Sequence, residues 1–247
     1  MTASRPVGRG RLITFEGIEC SGKGTQIRLL SDWLRDQGIK HHTDHEPGGT
    51  PYGEALRVVL KNPELALPAI FQAVRKHSDY QTLNYFHSSL TNYSRSGLVE
   101  MYLFMASRSL YAEKIARLIH ELGFVVISDR LMDSTTAYQG GGKFQGDPQM
   151  LETINFNNRL AMNGLWPDLT FFLDIPVDIM YARMAGENDE KNSFFEKKYN
   201  REFYERVRRQ YLAIAESEPQ RFIVIDGTKT IQEVFEAIKQ ELSTIIT

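Results

Sequence analysis

Short apolar runs alternate along the chain with longer segments in which apolar residues recur every three or four positions. Each run is rich in Ile, Val or Phe and is followed by glycine or a charged residue, which is the pattern of a buried β-strand. The pattern therefore predicts four clear strands, at residues 12–16, 124–128, 169–174 and 222–225. A weaker fifth strand is expected around residues 40–45, which carry no such run.

The last of the longer segments is the most regular. From Thr230 onward, one stripe of apolar residues follows the i, i+3, i+4 spacing of an amphipathic helix and consists of Ile231, Val234, Phe235, Ile238 and Leu242. Strands that alternate with helices favour a parallel sheet that is covered by helices on both faces. The pattern thus predicts an α/β protein with a central parallel sheet of about five strands.

Polar residues follow the predicted strands. In an open parallel α/β sheet, ligands bind outside the carboxyl ends of the strands, so these residues are the first candidates for a site. The strand ends carry Glu16-Gly17, Asp129-Arg130, Asp174 and Asp226-Gly227.

A glycine-rich stretch lies between the first predicted strand and the first helical pattern. It reads GIECSGKGT and matches the strand, GxxxxGK and helix order of a phosphate-binding loop, or P-loop. In such a loop, backbone N–H groups face phosphates and Lys23 brings a positive charge to the β- and γ-phosphates. A glycine-rich turn that only caps a helix is the less favoured alternative, because a strand precedes the loop. The predicted nucleotide-binding residues are Gly17, Ile18, Glu19, Cys20, Ser21, Gly22, Lys23, Gly24 and Thr25.

One position departs from the P-loop pattern. Gly24 stands where a Ser or Thr hydroxyl normally ligates Mg²⁺. Without this hydroxyl, metal binding is expected to depend on water molecules and a carboxylate. Asp129, at the end of a predicted strand, is therefore the candidate for holding a hydrated magnesium ion. With the P-loop, the predicted fold becomes a three-layer P-loop NTPase.

Composition narrows the choice of partners and compartment. The chain has 247 residues, 42% of them hydrophobic, which suits one domain spanning 1–247, and its net charge of -2 provides no excess of cations for binding nucleic acid or an anionic membrane. Cys20 is the only cysteine, so a reducing, cytoplasmic compartment is expected. Residues 1–10 are polar and are expected to be a flexible N-terminus without a secretion signal, and no run approaches the ~20 apolar residues of a membrane span.

Three further stretches accompany the P-loop. They read EPGGTP at residues 46–51, LFMASR at 103–108, and DR at 129–130 followed by STTAYQG at 134–140. Together with the P-loop, these motifs resemble the thymidylate kinase family. The resemblance covers about residues 10–57, 98–174 and 226–228, and it leaves residues 61–97 as a probable insertion.

The resemblance implies an acceptor-nucleotide site beside the P-loop. Phe104 would stack on a pyrimidine ring, and Arg108 would reach the acceptor's phosphate or the edge of its base. Arg130 would grip the same phosphate with its planar fork. Glu19 would accept a hydrogen bond from the 3′-hydroxyl, and Tyr138 would lie against the 2′-carbon. The acceptor-site residues implied in this way are Glu19, Pro47, Phe104, Arg108, Arg130, Ser134, Thr135 and Tyr138.

The resemblance also implies a reaction, the transfer of the γ-phosphoryl group of ATP to dTMP with Mg²⁺. The acceptor is a phosphate oxygen that is already ionised near neutral pH, so positioning and positive charge suffice for catalysis. Asp226 would lie beside adenine, residues 183–198 would form a lid, and the helix near residues 98–118 would mediate a homodimer. The predicted catalytic cations are Lys23, Arg108, Arg130 and Arg183.

Two alternatives remain at this stage. The GKGTQ stretch at residues 22–26 also occurs in adenylate kinases, so another kinase of monophosphates, of the AMP or UMP type, stays open. A P-loop protein that binds nucleotide with little kinase activity also stays open, because Gly24, His45 and an acid-rich lid all depart from the family pattern. A GTPase is disfavoured, since no NKxD-like guanine motif precedes a late strand.

Overall fold

A single sheet of five strands runs through the part of the chain that the computed structural model describes, which comprises residues 10–61, 96–186, 199–243 and 245. All neighbouring strands are parallel, and their order is β2-β3-β1-β4-β5. The predicted α/β fold with a parallel sheet of about five strands is confirmed. The weaker fifth strand expected around residues 40–45 is present as His41–His45. The strands are β1 Arg11–Glu16, β2 His41–His45, β3 Val125–Asp129, β4 Leu169–Asp174 and β5 Phe222–Asp226.

Helices connect the strands and cover the sheet. The predicted C-terminal helix is α8, and its N-terminus carries a capping box in which Thr230 and Glu233 satisfy each other's backbone N–H groups. A π-helix, Thr136–Lys143, follows α4 directly. The helices are α1 Lys23–Asp36, α2 Pro51–Lys61, α3 Gly97–His120, α4 Met132–Thr135, α5 Pro148–Met162, α6 Val177–Gly186, α7 Arg201–Ser217 and α8 Ile231–Leu242.

The apolar strands bury both of their faces. Successive residues of a strand point to opposite sides of a sheet. Ile13 accordingly packs in the cluster that includes residues of α1 and α8, whereas Leu12 packs against α3 on the other face. In β4, Phe171 joins the first cluster, and Phe172 joins a third cluster that α6 and α7 complete. The three-layer arrangement expected of a P-loop NTPase follows from this double burial.

Two of the three consecutive glycines in the π-helix, Gly141 and Gly142, allow α7 to pack closely on it. A Cβ atom on Gly141 would lie 2.5 Å from Cβ of Gln210, and one on Gly142 would lie 2.4 Å from the ring of Phe203. Real Cβ atoms do not come that close to carbon atoms, so any larger residue would push α7 away. This close approach sets the distance between α7 and the loop that follows β3.

Several predicted segments lie wholly or largely outside the described residues. They are most of the N-terminal segment 1–10, residues 62–95 of the insertion at 61–97, and residues 187–198 of the lid at 183–198. The prediction of one domain over 1–247 stays a prediction. Among the helices of the described residues, none combines the length and hydropathy that crossing a membrane requires.

Candidate active site

The P-loop joins β1 to α1 at the carboxyl edge of the sheet. Gly17 has a φ of 150°, and a Cβ there would lie 2.6 Å from Oγ of Ser21 and 2.9 Å from the carbonyl oxygen of Leu173. Gly22 has a φ of 96° and precedes α1 without a side-chain cap. The first backbone N–H groups of α1 are thus left for an anion, as expected for a phosphate cradle.

Lys23 lies inside the loop with only 8% of its surface exposed. Its Nζ donates hydrogen bonds to the carbonyl oxygens of Gly17 at 3.1 Å and Ile18 at 3.2 Å. Burial, with a smaller effect from the nearby Arg130, lowers the pKa of Lys23 to about 8. A bound phosphate would take the place of these carbonyl oxygens as the partner of the ammonium group. Its negative charge would raise the pKa of Lys23 again.

The surroundings of Gly24 and Asp129 suit a hydrated magnesium ion. A Cβ on Gly24 would meet no atom within 4 Å, and Oδ1 of Asp129 is buried without a hydrogen-bond partner in the described part of the chain. Nowhere in that part do three His, Cys, Asp or Glu side chains converge as a metal cluster. Mg²⁺ usually binds through one or two carboxylates together with substrate phosphates and water, so one free carboxylate oxygen beside a P-loop fits it.

Arg130 follows β3 and turns its guanidinium group toward Glu19 and Tyr138. It has a φ of 70°, which is uncommon for a residue with a side chain. One terminal nitrogen lies 3.3 Å from the Tyr138 hydroxyl and 3.5 Å from Glu19, and the guanidinium carbon lies 5.0 Å from the centroid of the Tyr138 ring. The Tyr138 hydroxyl also lies 2.8 Å from both carboxylate oxygens of Glu19. The three residues form one polar cluster beside the P-loop.

Arg108 is completely buried, and its partners are internal. One terminal nitrogen donates to Glu46 at 2.7 Å and to Thr135 at 2.9 Å, and the other donates to Asn158 at 2.6 Å. The Nε of Arg108 and Oε1 of Glu46 have no hydrogen-bond partner among the described residues. In this arrangement Arg108 presents no exposed donor to an acceptor nucleotide, and the implied contact stays a prediction.

The loop after β2 begins at Glu46, the partner of Arg108. Pro47 is buried, its carbonyl oxygen accepts a hydrogen bond from Arg57 at 2.6 Å, and Phe104 is half-buried on α3. Arg57 and Lys61 on α2 were not predicted as site residues. Burial lowers the pKa of Arg57, and burial together with the charges of Arg57 and Arg130 lowers the pKa of Lys61 to about 8. Their spacing of four residues on one helix places both cations on the same face, a signal the sequence offers.

Arg183, on α6, contacts both the P-loop and the loop that follows β5. Its terminal nitrogens donate to the carbonyl oxygen of Cys20 at 3.1 Å and to that of Gly227 at 2.8 Å. Asp226, which precedes Gly227, is exposed and accepts hydrogen bonds from the backbone and hydroxyl of Thr228. Arg183 thus connects the P-loop with the loop after β5, on the side where adenine was expected.

Glu16 forms a second group with Ser134 and Tyr211, and the sequence assigned no role to Glu16 beyond its place at a strand end. Ser134, expected in the acceptor site, donates its hydroxyl proton to Glu16 at 2.6 Å. Tyr211 on α7 donates to the same oxygen at 2.8 Å. Glu16 is fully buried, and burial, followed by the charge of Asp133, raises its pKa to about 7.

Comparison with known proteins identifies the family. The family model described as Thymidylate kinase matches residues 15–78 and 73–238. A thymidylate kinase of Thermosipho melanesiensis is 36% identical over 234 residues, covering 95% of this chain and 98% of the relative. A thymidylate kinase of Chlorobaculum parvum is 36% identical over 240 residues, covering 95% of this chain and 96% of the relative.

A solved structure agrees with this result. The crystal structure of thymidylate kinase from Ehrlichia chaffeensis superposes with a TM-score of 0.62 at 27% sequence identity, and the match covers 95% of this chain and 99% of that one. The match extends over nearly the full length of both chains, so it includes both the P-loop and the cluster around Arg130. The chain therefore belongs to the thymidylate kinase family.

Proposed function

We propose that this protein transfers the γ-phosphoryl group of ATP to dTMP, producing ADP and dTDP. The observation that carries the proposal is the position of Arg130, Glu19 and Tyr138 directly beside a P-loop with a buried Lys23. A nucleotide-binding protein needs only the P-loop. A cluster that can bind a second phosphate and a sugar next to it is the arrangement that phosphoryl transfer between two nucleotides requires.

On the donor side, Lys23 and the N-terminus of α1 bind the β- and γ-phosphates. Asp129, with its unpaired carboxylate oxygen, would hold Mg²⁺ through water. The metal would neutralise charge on the bridged phosphates. Because Gly24 provides no hydroxyl, this chain relies on Asp129 and on solvent for metal binding.

On the acceptor side, Arg130 binds the 5′-phosphate with its fork of donors. A phosphate oxygen of dTMP forms the new bond to the γ-phosphorus while the bond to the oxygen bridging β- and γ-phosphorus breaks, and no proton transfer is needed. Arg57 and Lys61 add positive charge on α2 near Arg130. Their role is to offset the repulsion between two anionic nucleotides.

The sugar and the base are recognised by the remaining residues. The Glu19 carboxylate, oriented by the Tyr138 hydroxyl, accepts a hydrogen bond from the 3′-hydroxyl, and the Tyr138 ring excludes a 2′-hydroxyl by shape. Phe104 stacks on thymine, Pro47 borders the ring, and Thr135 lies in the hydrogen-bond network of Arg108. Recognition of the base therefore combines a stacking surface with a rigid polar wall.

A panel of acceptors tests the proposal. With ATP and Mg²⁺, we expect ADP release with dTMP, a lower kcat/KM with dUMP, and little turnover with AMP or UMP. Equal or better use of AMP or UMP would assign the chain to another monophosphate specificity. Nucleotide binding without ADP release from any acceptor would identify a binding protein instead.

We infer that two copies of the chain associate through α3 and its neighbour α5. Both helices carry large exposed apolar side chains, with Tyr102 53%, Phe156 55% and Leu160 62% exposed. Sedimentation should give twice the 28.3 kDa chain mass, and Leu160→Asp should shift the equilibrium toward monomer. Leu122→Asp, at an exposed position beyond α3, serves as the control and should leave the mass unchanged.

The cysteine content favours a reducing compartment. A single cysteine, Cys20, leaves no partner for an intrachain disulfide, which is usual for proteins of reducing compartments. We infer a cytoplasmic protein, in keeping with a role in dTTP synthesis.

A further inference from the structure

We propose that Glu16 is a positioning residue that fixes Arg130 for binding the acceptor phosphate. Glu16 is the last residue of β1 and touches neither nucleotide in the proposed function, on which this inference rests. It acts through two neighbours, Ser134 and Tyr211, which also contact Arg130. Three sets of contacts support this role.

The first set holds the backbone of Arg130. Its N–H donates to the carbonyl oxygen of Phe15 at 3.0 Å, and its carbonyl oxygen accepts from the Ser128 hydroxyl at 2.8 Å. Glu16 continues this connection, since Oε1 accepts from the next backbone N–H, that of Leu131, at 2.8 Å. Consecutive residues of β1 thus secure the left-handed turn at Arg130.

The second set caps α4, which begins immediately after this turn. Leu131, the residue before the helix, offers no side-chain cap. Oε1 of Glu16 accepts from the N–H groups of Leu131 and of Ser134, the latter at 3.3 Å. The carboxylate of Glu16, on β1, therefore caps α4 in the way that a Ser, Thr or Asp side chain usually caps a helix N-terminus.

The third set determines which way two hydroxyl groups point. Ser134 and Tyr211 both give their protons to Oε2 of Glu16, at 2.6 and 2.8 Å. Their lone pairs are then available to Arg130, whose terminal nitrogen NH1 lies 3.2 Å from Ser134 and 3.5 Å from Tyr211. Because a guanidinium group only donates, both hydroxyls must act as acceptors toward it. The carboxylate ensures that they do.

The substitution Glu16→Gln separates the cap from this third role. Its amide oxygen can still accept from the two backbone N–H groups, so the turn and α4 are retained. Its NH₂ group, however, donates to the two hydroxyls, whose oxygens lie 3.0 Å apart. One hydroxyl can then donate to the other, but the second hydroxyl proton has lost its carboxylate acceptor and is expected to turn toward Arg130. Two donors would face each other, and the guanidinium group would lose its fixed orientation.

The test compares Glu16→Gln with the parent at pH 8, above the pKa of about 7 of Glu16. We expect the KM for dTMP to rise about 10-fold while the KM for ATP changes little, because Arg130 serves the acceptor side. The control is Thr14→Val, at an equally buried position on the same face of β1. Thr14 bonds only Thr170 in the described contacts, so this variant should keep the parent's KM for dTMP.

A double-mutant cycle with Tyr211→Phe completes the design. If Glu16 acts through the two hydroxyls, Tyr211→Phe also raises the KM for dTMP, and the double variant shows less than the product of the two effects. Independent effects, or an unchanged KM in Glu16→Gln, would overturn the role of Glu16. A parent protein that neither phosphorylates nor binds a monophosphate would overturn the proposed function, and this inference with it.

Discussion

Replacement of Lys23 by alanine is expected to lower kcat by about 10³-fold with the fold intact, because it removes the one P-loop charge directed at the transferring phosphoryl group. The side chain is 8% exposed, and its ammonium group contacts loop oxygens. Residues 17–25 contain no other Lys or Arg, so no other cation in the loop can take its place. The measurement is ADP release at saturating ATP and dTMP, with circular dichroism as the check on folding.

The control for this prediction is Arg28→Ala, which removes an exposed cation from the same helix, α1. Arg28→Ala should keep the parent's turnover. A folded Lys23→Ala variant with parental turnover would contradict the assignment of residues 17–25 as the phosphate loop.

The lowered pKa of Lys23 adds a pH dependence to the same experiment. With a pKa of about 8, set mainly by burial, the ammonium form dominates below pH 8 and is lost as the pH rises above that value. Bound phosphates raise the pKa again. In the parent, the KM for ATP should therefore increase above pH 8, while kcat at saturating ATP changes less. The Lys23→Ala variant should lack this increase.

The sequence predicted the fold because the relevant signals are local. Four of the strands are short runs rich in Ile, Val, Phe or Leu, and each such run must be covered on both faces, which leaves a parallel sheet as the solution. The fifth strand, β2, His41–His45, lacks an apolar run, and the sequence predicted it only as a weaker strand. The P-loop was visible for the same reason, since its glycines and Lys23 are adjacent in the chain.

The part of the site that was missed depends on contacts between distant residues. Glu16 and Tyr211 are 195 positions apart, and no periodicity relates them. Arg108 shows the same limit, because nothing in the sequence relates it to Glu46, its partner 62 positions away. A charged residue at the end of a buried strand is a detectable signal, but its role is defined only when the opposing side chains are known.

Arg183→Ala is expected to lower turnover by about 10²-fold or more with little change in the KM for dTMP. Arg183 is the one arginine of α6, and its terminal nitrogens donate to the carbonyl oxygens of Cys20 and Gly227. These are neutral acceptors, and a triphosphate is a stronger partner for a guanidinium group than either of them. We therefore expect the fork to transfer to phosphate oxygens as charge develops during transfer.

Two further variants decide how Arg183 acts. Arg183→Lys keeps the charge but loses the planar fork, so it should recover only part of the turnover. Arg209→Ala, which removes an exposed arginine on α7, should have no effect. Lys191 belongs to the predicted lid and lies outside the described residues, and Lys191→Ala should have a smaller effect than Arg183→Ala. If Arg183→Ala raised only the KM for ATP, Arg183 would hold the P-loop against the loop after β5, and the transition-state charge would come from another cation.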